Sequence, residues 1–198
     1  ALHLAIAARA GFATLHAPNA ASSWNRESWE SLWRIAFAGA TPALGGAKVE
    51  EASGRAARTL VSGTAQGRLL GGNLTILSTM MGTGWLPSFD GAILFLEDIN
   101  EDPYRVDRML QQLGLAGGMD RVSGVVFGQC TRCDLRDPDY AGFTLDDVLN
   151  QHLGDLRVPV VTGFNTGHVR SQLALPIGVP VELDAEARTL RMLEPAVA

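Results

Sequence analysis

The 198-residue chain has 46% hydrophobic and 19% charged residues, the composition of an ordinary folded protein rather than of a disordered or fibrous one. Its formal net charge is −5 and no segment concentrates Lys and Arg, so a nucleic-acid partner is not expected. No apolar run approaches the length of about 18 residues that a membrane-spanning helix needs, so no membrane partner is expected either. The length allows one large domain or two small ones.

The amino-terminal segment predicts the tail of a helix–strand unit whose beginning is absent. Ala1 to Ala10 is rich in Ala and Leu and predicts a helix, which Gly11 is placed to end. Phe12 to His16 then reads as a short strand. Because the chain starts inside this helix, we expect that an upstream segment is missing.

A second helix is predicted over Arg26 to Ala38, with Trp29 and Trp33 on one face. Large aromatic side chains gain much free energy from burial, so these two are expected in the core rather than in a ligand cage. The following segment, Thr41 to Gly54, is rich in Gly, Ala and Pro and weakly patterned, which is typical of a linker or an exposed excursion.

The next stretch predicts two short strands and a helix with a distinctive start. The strands are Arg58 to Val61 and Arg68 to Leu70, and the helix covers Leu74 to Met81. It is preceded by Gly71-Gly72-Asn73, which would present backbone N–H groups to a carboxylate or phosphate. Ordinary N-capping by Asn73 explains the same residues.

From Gly91 onward, apolar strands alternate with amphipathic helices, which predicts a parallel sheet with crossover helices. The strands are expected at Ile93–Glu97, Val122–Phe127 and Val158–Thr162, the helices at Pro103–Leu113 and Leu145–Leu153, and a terminal antiparallel hairpin at Val179–Leu183 and Thr189–Leu193. Thr144 and Asp147 have the spacing of a capping box at the start of the second helix.

Parallel strands bring their carboxyl ends to one edge of a sheet, where α/β proteins bind ligands. Glu97, the Gly128-Gln129 corner and the loop from Gly163 to His168 should therefore converge. A histidine held by a carboxylate forms the base and orienting group of a nucleophilic site. Two alternatives remain open: Glu97 forms an ion pair with a nearby arginine, and His168 is an ordinary loop histidine. The other histidines, His3, His16 and His152, are expected to be structural.

Cys130 and Cys133 form a CxxC motif, which alone is a weak signal. In thioredoxin-type sites the motif opens a helix, whereas here Asp134, Arg136, Asp137 and Pro138 follow and indicate a loop. A zinc site needs two more soft ligands at suitable spacing. We therefore predict two free thiols in a reducing compartment. A redox module is disfavoured because the neighbouring acidic residues work against a low thiol pKa.

Four runs together resemble the LD-carboxypeptidases, a family that includes murein tetrapeptide carboxypeptidases and is related to microcin self-immunity peptidases. They are GGNL (Gly71–Leu74), GAILFLED (Gly91–Asp98), PYRVDRML (Pro103–Leu110) and TGHVRSQLALPIG (Thr166–Gly178). The resemblance implies an α/β fold. A carboxy-terminal domain with parallel strands, crossover helices and a terminal antiparallel hairpin (66–198) would follow the remainder of an incomplete Rossmann-like amino-terminal domain and a linker (1–65).

The resemblance also implies a Ser-Glu-His triad. By motif, Glu97 would be its glutamate and His168 its histidine, and Asn73 could hold a substrate carboxylate or amide. In the family the nucleophilic serine precedes a helix that resembles ALHLAIAARAG, so it is expected upstream of Ala1. Ser78, Ser88 and Ser171 do not stand in that context. The 198 residues alone are therefore expected to be inactive.

For the whole protein, the resemblance implies a serine-type peptidase that releases the terminal D-Ala from murein tetrapeptides in cell-wall recycling. The family's chemistry needs no metal or other cofactor, and a cytoplasmic homodimer is expected. One alternative within the class is a microcin self-immunity peptidase, whose relatives stack adenine on aromatic residues of an extra loop. An alternative outside it is a fragment that binds peptides without cutting them.

Overall fold

The structure is a computed structural model that describes residues 2–21, 24–46, 55–134 and 142–197. The helices are α1 (Leu2–Ala10), α2 (Arg26–Ala36), α3 (Leu74–Met80), α4 (Pro103–Leu115) and α5 (Leu145–Leu153). The strands are β1 (Thr14–His16), β2 (Ala43–Gly45), β3 (Arg58–Val61), β4 (Thr64–Asn73), β5 (Ile93–Ile99), β6 (Gly124–Thr131), β7 (Val160–Thr162), β8 (Leu175–Ile177), β9 (Pro180–Asp184) and β10 (Thr189–Met192).

Eight strands form one mixed sheet in the order β2-β10-β9-β4-β5-β6-β7-β3, and β1 pairs with β8 in a separate antiparallel pair. Strands β4, β5, β6 and β7 are mutually parallel, and α4 and α5 connect the last three of them. The predicted α/β fold with crossover helices and a terminal hairpin is confirmed. None of the helices within the described ranges combines the length and apolar character needed to cross a membrane.

The apolar runs of the sequence become the buried strands. All but the last residue of β5 are buried, and Phe95 in β5, Phe127 in β6 and Phe164 after β7 are fully buried together in the core. The predicted capping box is present, because the Thr144 side chain accepts from the backbone of Asp147 and the Asp147 carboxylate accepts from Thr144. Local signals and packing therefore agree along this half of the chain.

Strand β4 is much longer than the predicted Arg68–Leu70. Its first half pairs with β9 in antiparallel fashion and its second half pairs with β5 in parallel. Burial accordingly alternates in the first half and is continuous over the four residues Leu69 to Gly72. The strand therefore joins the hairpin to the parallel part of the sheet, and it carries Asn73 to the same edge as Glu97.

The predicted linker, Thr41 to Gly54, contains strand β2, which pairs with β10. Residues 47–54 of that segment lie outside the described residues. Strand β3, also before residue 65, pairs with β7 at the far edge of the same sheet. The division into domains at residue 65 stays a prediction, with two strands from before it joined to the main sheet.

The prediction that Trp29 and Trp33 belong to the core is wrong, because these residues are 46% and 50% exposed. Helix α2 packs instead through Ile35 and two buried serines. The Ser28 hydroxyl accepts from the backbone N–H of Gln172, and the Ser31 hydroxyl accepts from that of Ala174. Hydrogen bonds to a loop therefore determined which face of this helix is buried.

Candidate functional site

A β-bulge marks the carboxyl end of the parallel strands. Leu96 pairs with Phe127 and Asp98 pairs with Cys130, so Glu97 faces two residues of β6, Gly128 and Gln129. Such bulges interrupt a strand ladder and re-aim side chains, and they are frequent next to active sites.

Glu97 and His168 meet at this edge, as predicted from the topology. The Nδ1 atom of His168 lies 2.8 Å from Oε2 of Glu97. The Glu97 side chain is 1% exposed and that of His168 is 48% exposed. A buried carboxylate thus fixes one ring nitrogen, and Nε2 is left for a further partner.

The His168 ring lines an open cleft of about 320 Å³ next to the bulge. The other lining residues are His16, Ala17, Asn19, Gly167, Val169 and Gln172. The cleft thus lies between β1 with its following turn and the loop after β7. Its volume lies at the lower end of the range found for sites that bind small molecules.

Two glycines allow the loop after β7 to approach Glu97. A Cβ atom on Gly167, whose φ is +108°, would lie 2.9 Å from Glu97 Oε2. A Cβ atom on Gly128 would lie 2.8 Å from the carbonyl oxygen of Thr166. Both positions therefore need glycine, and Gly167 needs it for its backbone conformation as well.

Strand β6 holds the same loop through hydrogen bonds that sequence reasoning missed. The backbone N–H of Gln129 donates to Thr166 O at 2.9 Å, and its side-chain Nε2 donates to Gly163 O at 2.7 Å. The Thr131 hydroxyl donates to the carbonyl oxygen of His168 at 2.8 Å. The sequence placed the Gly128-Gln129 corner at this edge, but it gave no signal for these hydrogen bonds.

The pKa of His168 is raised above its usual value, and the largest cause is the hydrogen bond to Glu97. Partial burial lowers this pKa. The negative charges of Glu97 and Asp98 raise it further, and the positive charge of Arg132 lowers it. The ring is therefore a base whose protonated form is stabilised by its carboxylate partner. This property suits proton transfer to and from a hydroxyl group.

His16 has the opposite electrostatics. Burial, together with the nearby rings of His3 and His168, lowers the pKa of His16 to about 3. Its ring packs edge-on against Phe95 with centroids 5.0 Å apart. It thus presents an uncharged wall to the cleft at neutral pH, in keeping with the structural role expected from the sequence.

Asn73 pairs in register with Glu97 across the parallel ladder. Its Oδ1 caps α3 by accepting from Ile76 N at 3.1 Å, and its Nδ2 donates to Asp98 at 2.9 Å. The carboxylate of Asp98 also accepts from the backbone N–H of Thr75 at 2.8 Å. The start of α3 therefore binds a carboxylate, as its sequence suggested, and that carboxylate belongs to the protein itself.

The three serines considered in the sequence analysis form hydrogen bonds away from Glu97 and His168. The Ser78 hydroxyl donates to Thr75 O at 2.8 Å, the Ser88 hydroxyl accepts from Asp90 N at 3.2 Å, and the Ser171 hydroxyl accepts from Asn25. None of these bonds involves Glu97 or His168. Within the described ranges, no three His, Cys, Asp or Glu side chains come together as a metal site would require.

The prediction of free thiols is wrong, because Cys130 and Cys133 form a disulfide. Strand β6 ends one residue after Cys130, and Arg132 then turns the chain back with a φ of +57°. This turn brings the two Cα atoms to 5.4 Å, within the range of a disulfide. The loop residues Arg136, Asp137 and Pro138, on which the prediction rested in part, lie outside the described residues.

Together these features define an α/β protein whose cleft carries a histidine oriented by a buried carboxylate, an arrangement that activates hydroxyl nucleophiles. The family model described as the LD-carboxypeptidase C-terminal domain matches residues 66–183. The chain belongs to the LD-carboxypeptidase family, which confirms the resemblance found in the sequence.

Similarity to individual proteins extends beyond the residues that the family model matches. A putative carboxypeptidase of Streptomyces coelicolor is 39% identical over 201 residues, covering all of this chain and 60% of the relative. The microcin C7 self-immunity protein MccF of Escherichia coli is 31% identical over 134 residues, 67% of this chain and 38% of that protein. The crystal structure of muramoyltetrapeptide carboxypeptidase from Oxalobacter formigenes superposes with a TM-score of 0.75 at 29% identity, covering 96% of this chain and 64% of that one. The chain thus spans less than two thirds of the length of each.

Proposed function

We propose that this chain is the Glu- and His-bearing part of a serine-type LD-carboxypeptidase, which releases the terminal D-Ala from murein tetrapeptides in the cytoplasm during cell-wall recycling. The observation that carries the proposal is the 2.8 Å bond between His168 Nδ1 and Glu97 Oε2, with the carboxylate buried and the ring in the cleft. Family membership supports the carboxypeptidase reaction.

In the proposed mechanism, Nε2 of His168 accepts the proton of a serine hydroxyl as that oxygen attacks the amide carbonyl. The bond cleaved joins the L-centre of meso-diaminopimelate to the terminal D-Ala. His168 then donates the proton to the leaving amine of D-Ala, and a water molecule releases the acyl group by the reverse sequence. Glu97 keeps the imidazole in the required tautomer and stabilises its protonated form.

Two further roles belong to this proposal. The serine comes from outside the 198 residues, as the family resemblance implies, so the chain alone is inactive. Asn73, next to Glu97 in the ladder, points one amide N–H at Asp98 and retains a second for the substrate carboxylate or amide. No metal or cofactor takes part in the proposed steps.

The test compares two forms of the protein by measuring the release of D-Ala from murein tetrapeptide. One form is the 198-residue chain, and the other is a chimaera completed with the part of the Streptomyces coelicolor relative outside the match. We expect D-Ala release only by the chimaera. Release by the chain alone would contradict the external serine, and a folded chimaera that binds the peptide but releases nothing would favour the non-catalytic binding fragment.

A second candidate is cleavage of a nucleotide–peptide, and it is favoured by aromatic residues that lie next to the cleft without lining it. The indole N–H of Trp24 donates to the carbonyl oxygen of Asn19, a cleft residue, at 2.8 Å, and its ring lies 5.6 Å from that of Trp29. Such faces can stack a nucleobase. This candidate predicts that the chimaera prefers a peptide bearing a nucleotide over the tetrapeptide, and that Trp24→Leu removes the preference. Equal or better cleavage of the tetrapeptide supports the first proposal.

The pH dependence follows from the raised pKa of His168. The general base must be neutral, so kcat/KM is expected to rise with pH through a limb above the ordinary histidine value of about 6.5. Glu97→Gln removes the largest cause of the shift, so the limb should move to lower pH. The measurement is kcat/KM for D-Ala release from about pH 5 to pH 9. A limb at the same pH in both forms would show that Glu97 does not act on the ring.

A further inference from the structure

The two residues enclosed by the Cys130–Cys133 disulfide both act on His168. The Thr131 hydroxyl donates to the His168 carbonyl oxygen at 2.8 Å. The positive charge of Arg132 opposes protonation of the His168 ring. The CxxC motif is therefore adjacent to the candidate catalytic histidine in space, although 35 positions (168 minus 133) separate them in the sequence.

The turn between the cysteines has a conformation that needs support. Arg132 lies in the left-handed region with a φ of +57°, which is unfavourable for a residue with a Cβ atom. Two backbone bonds hold the turn, from Cys133 N to Cys130 O at 3.2 Å and from Asn100 N to Thr131 O at 2.9 Å. The disulfide closes the same turn covalently, so its loss gives the turn freedom to relax.

One of the two cysteines lines a cavity. Cys130 lines a cavity of about 220 Å³, and Cys133 is fully buried. The wall of this cavity includes Arg55, which forms ion pairs with Asp134 and Asp146. These two carboxylates offset the positive charge of Arg55, so the external reductant supplies the attacking thiolate.

We propose that Cys130 and Cys133 are a reversible dithiol–disulfide pair and that Thr131 is a positioning residue for His168, held in place when the pair is oxidised. The effect on catalysis rests on the proposed function. Disulfides of proteins in reducing compartments are commonly transient and redox-sensing, which fits a pair placed beside the candidate site.

The exchange uses an external dithiol as reductant. Its thiolate attacks Cys130 Sγ, the S–S bond breaks, and Cys133 leaves as a thiolate that takes up a proton. The second thiol of the reductant then attacks the mixed disulfide and releases Cys130 as a thiol, and the reductant leaves as a disulfide. Two electrons pass from the dithiol to the protein pair. A small-molecule disulfide such as oxidised glutathione reverses the reaction.

The first test is a redox titration of the 198-residue chain in glutathione buffers, followed by alkylation and mass spectrometry. We expect one reversible two-electron transition between two alkylated and two protected cysteines. Cys130→Ser and Cys133→Ser should each abolish it. Thiols that remain fully reactive under oxidising conditions would overturn the proposal, as would a disulfide that no dithiol reduces in the folded chain.

The second test uses NMR of the His168 ring and does not depend on catalysis. We expect its titration midpoint and ring shifts to differ between the oxidised and reduced chain. Thr131→Val should give the reduced pattern in both states. The matched control is Thr79→Val, whose hydroxyl donates to Ile76 O within α3. A redox difference that persists in Thr131→Val would assign the effect to Arg132 and overturn the role of Thr131.

Kinetics of the chimaera separate this inference from the proposed function. We expect reduction of the pair to lower kcat about fivefold, the effect of loosening one hydrogen bond, with KM unchanged. A redox-dependent His168 ring without D-Ala release would remove the peptidase proposal and keep the inference. D-Ala release with a kcat and ring signals that do not depend on the redox state would keep the peptidase proposal and overturn this inference.

Discussion

Replacement of His168 by Ala in the chimaera is expected to lower kcat for D-Ala release by about 10²- to 10⁴-fold, with a much smaller change in KM. The substitution removes the only group in the proposed mechanism that accepts the serine proton and returns it to the leaving amine. Glu97→Gln should give a loss within the same range, because the amide cannot stabilise the protonated ring and no longer fixes its tautomer. The measurement is steady-state kinetics with murein tetrapeptide.

The chain supplies its own matched control for this prediction. His152 in α5 pairs with Asp107 in α4, with Nε2 and Oδ1 2.7 Å apart, and its side chain is mostly buried. This is a second histidine–carboxylate pair without a place in the cleft. His152→Ala should lower the melting temperature and leave kcat unchanged. An equal loss of activity in His152→Ala would show that the effect of His168→Ala reflects general damage to the fold.

Much of the parallel sheet could be predicted because local signals and packing agree there. The apolar run before Glu97 is too short for a helix, and the Asp102-Pro103 pair starts one, so β5 and α4 follow from the sequence almost to the residue. The meeting of Glu97 and His168 could also be predicted. It depends only on the parallel direction of the strands and not on any local motif.

The two wrong predictions, for the tryptophans of α2 and for the cysteines, concern features that depend on tertiary contacts. Trp29 and Trp33 have the spacing of a buried face, but the hydrogen bonds of Ser28 and Ser31 to the loop before β8 turn another face of α2 inward. The disulfide needed the left-handed turn at Arg132, which no composition rule indicates.

The contacts that position His168 could not be predicted from the sequence either. The close contacts at Gly128 and Gly167 and the hydrogen bond of Thr131 exist only because the loop after β7 meets strand β6 at the bulge opposite Glu97. The roles of Glu97, His168 and Asn73 stay predictions that the experiments above test, and so does the expected homodimer.

Gly167→Ala is expected to abolish most of the activity of the chimaera, although it replaces no group that takes part in the proposed chemistry. The new methyl group would lie 2.9 Å from Glu97 Oε2 and 3.2 Å from the carbonyl oxygen of Gln129, and alanine is strained at a φ of +108°. The Glu97 carboxylate is buried and the Gln129 carbonyl is backbone, so the loop carrying His168 must move instead. A shift of about 1 Å in the base is enough to lower kcat by about 10²-fold. The free energy of unfolding should fall by about 2 kcal/mol from the backbone strain and the close contact.

Gly82→Ala separates backbone strain from the contact with Glu97. Gly82 has a φ of +78°, and its Cβ atom would meet nothing within 4 Å. This variant should lose about 1 kcal/mol of stability from the left-handed conformation and keep its kcat. Denaturant unfolding and kinetics of both variants give the two quantities. If Gly167→Ala matched Gly82→Ala in both, the close approach of the loop to Glu97 would have no part in placing His168, because the same strain without the contact would account for everything observed.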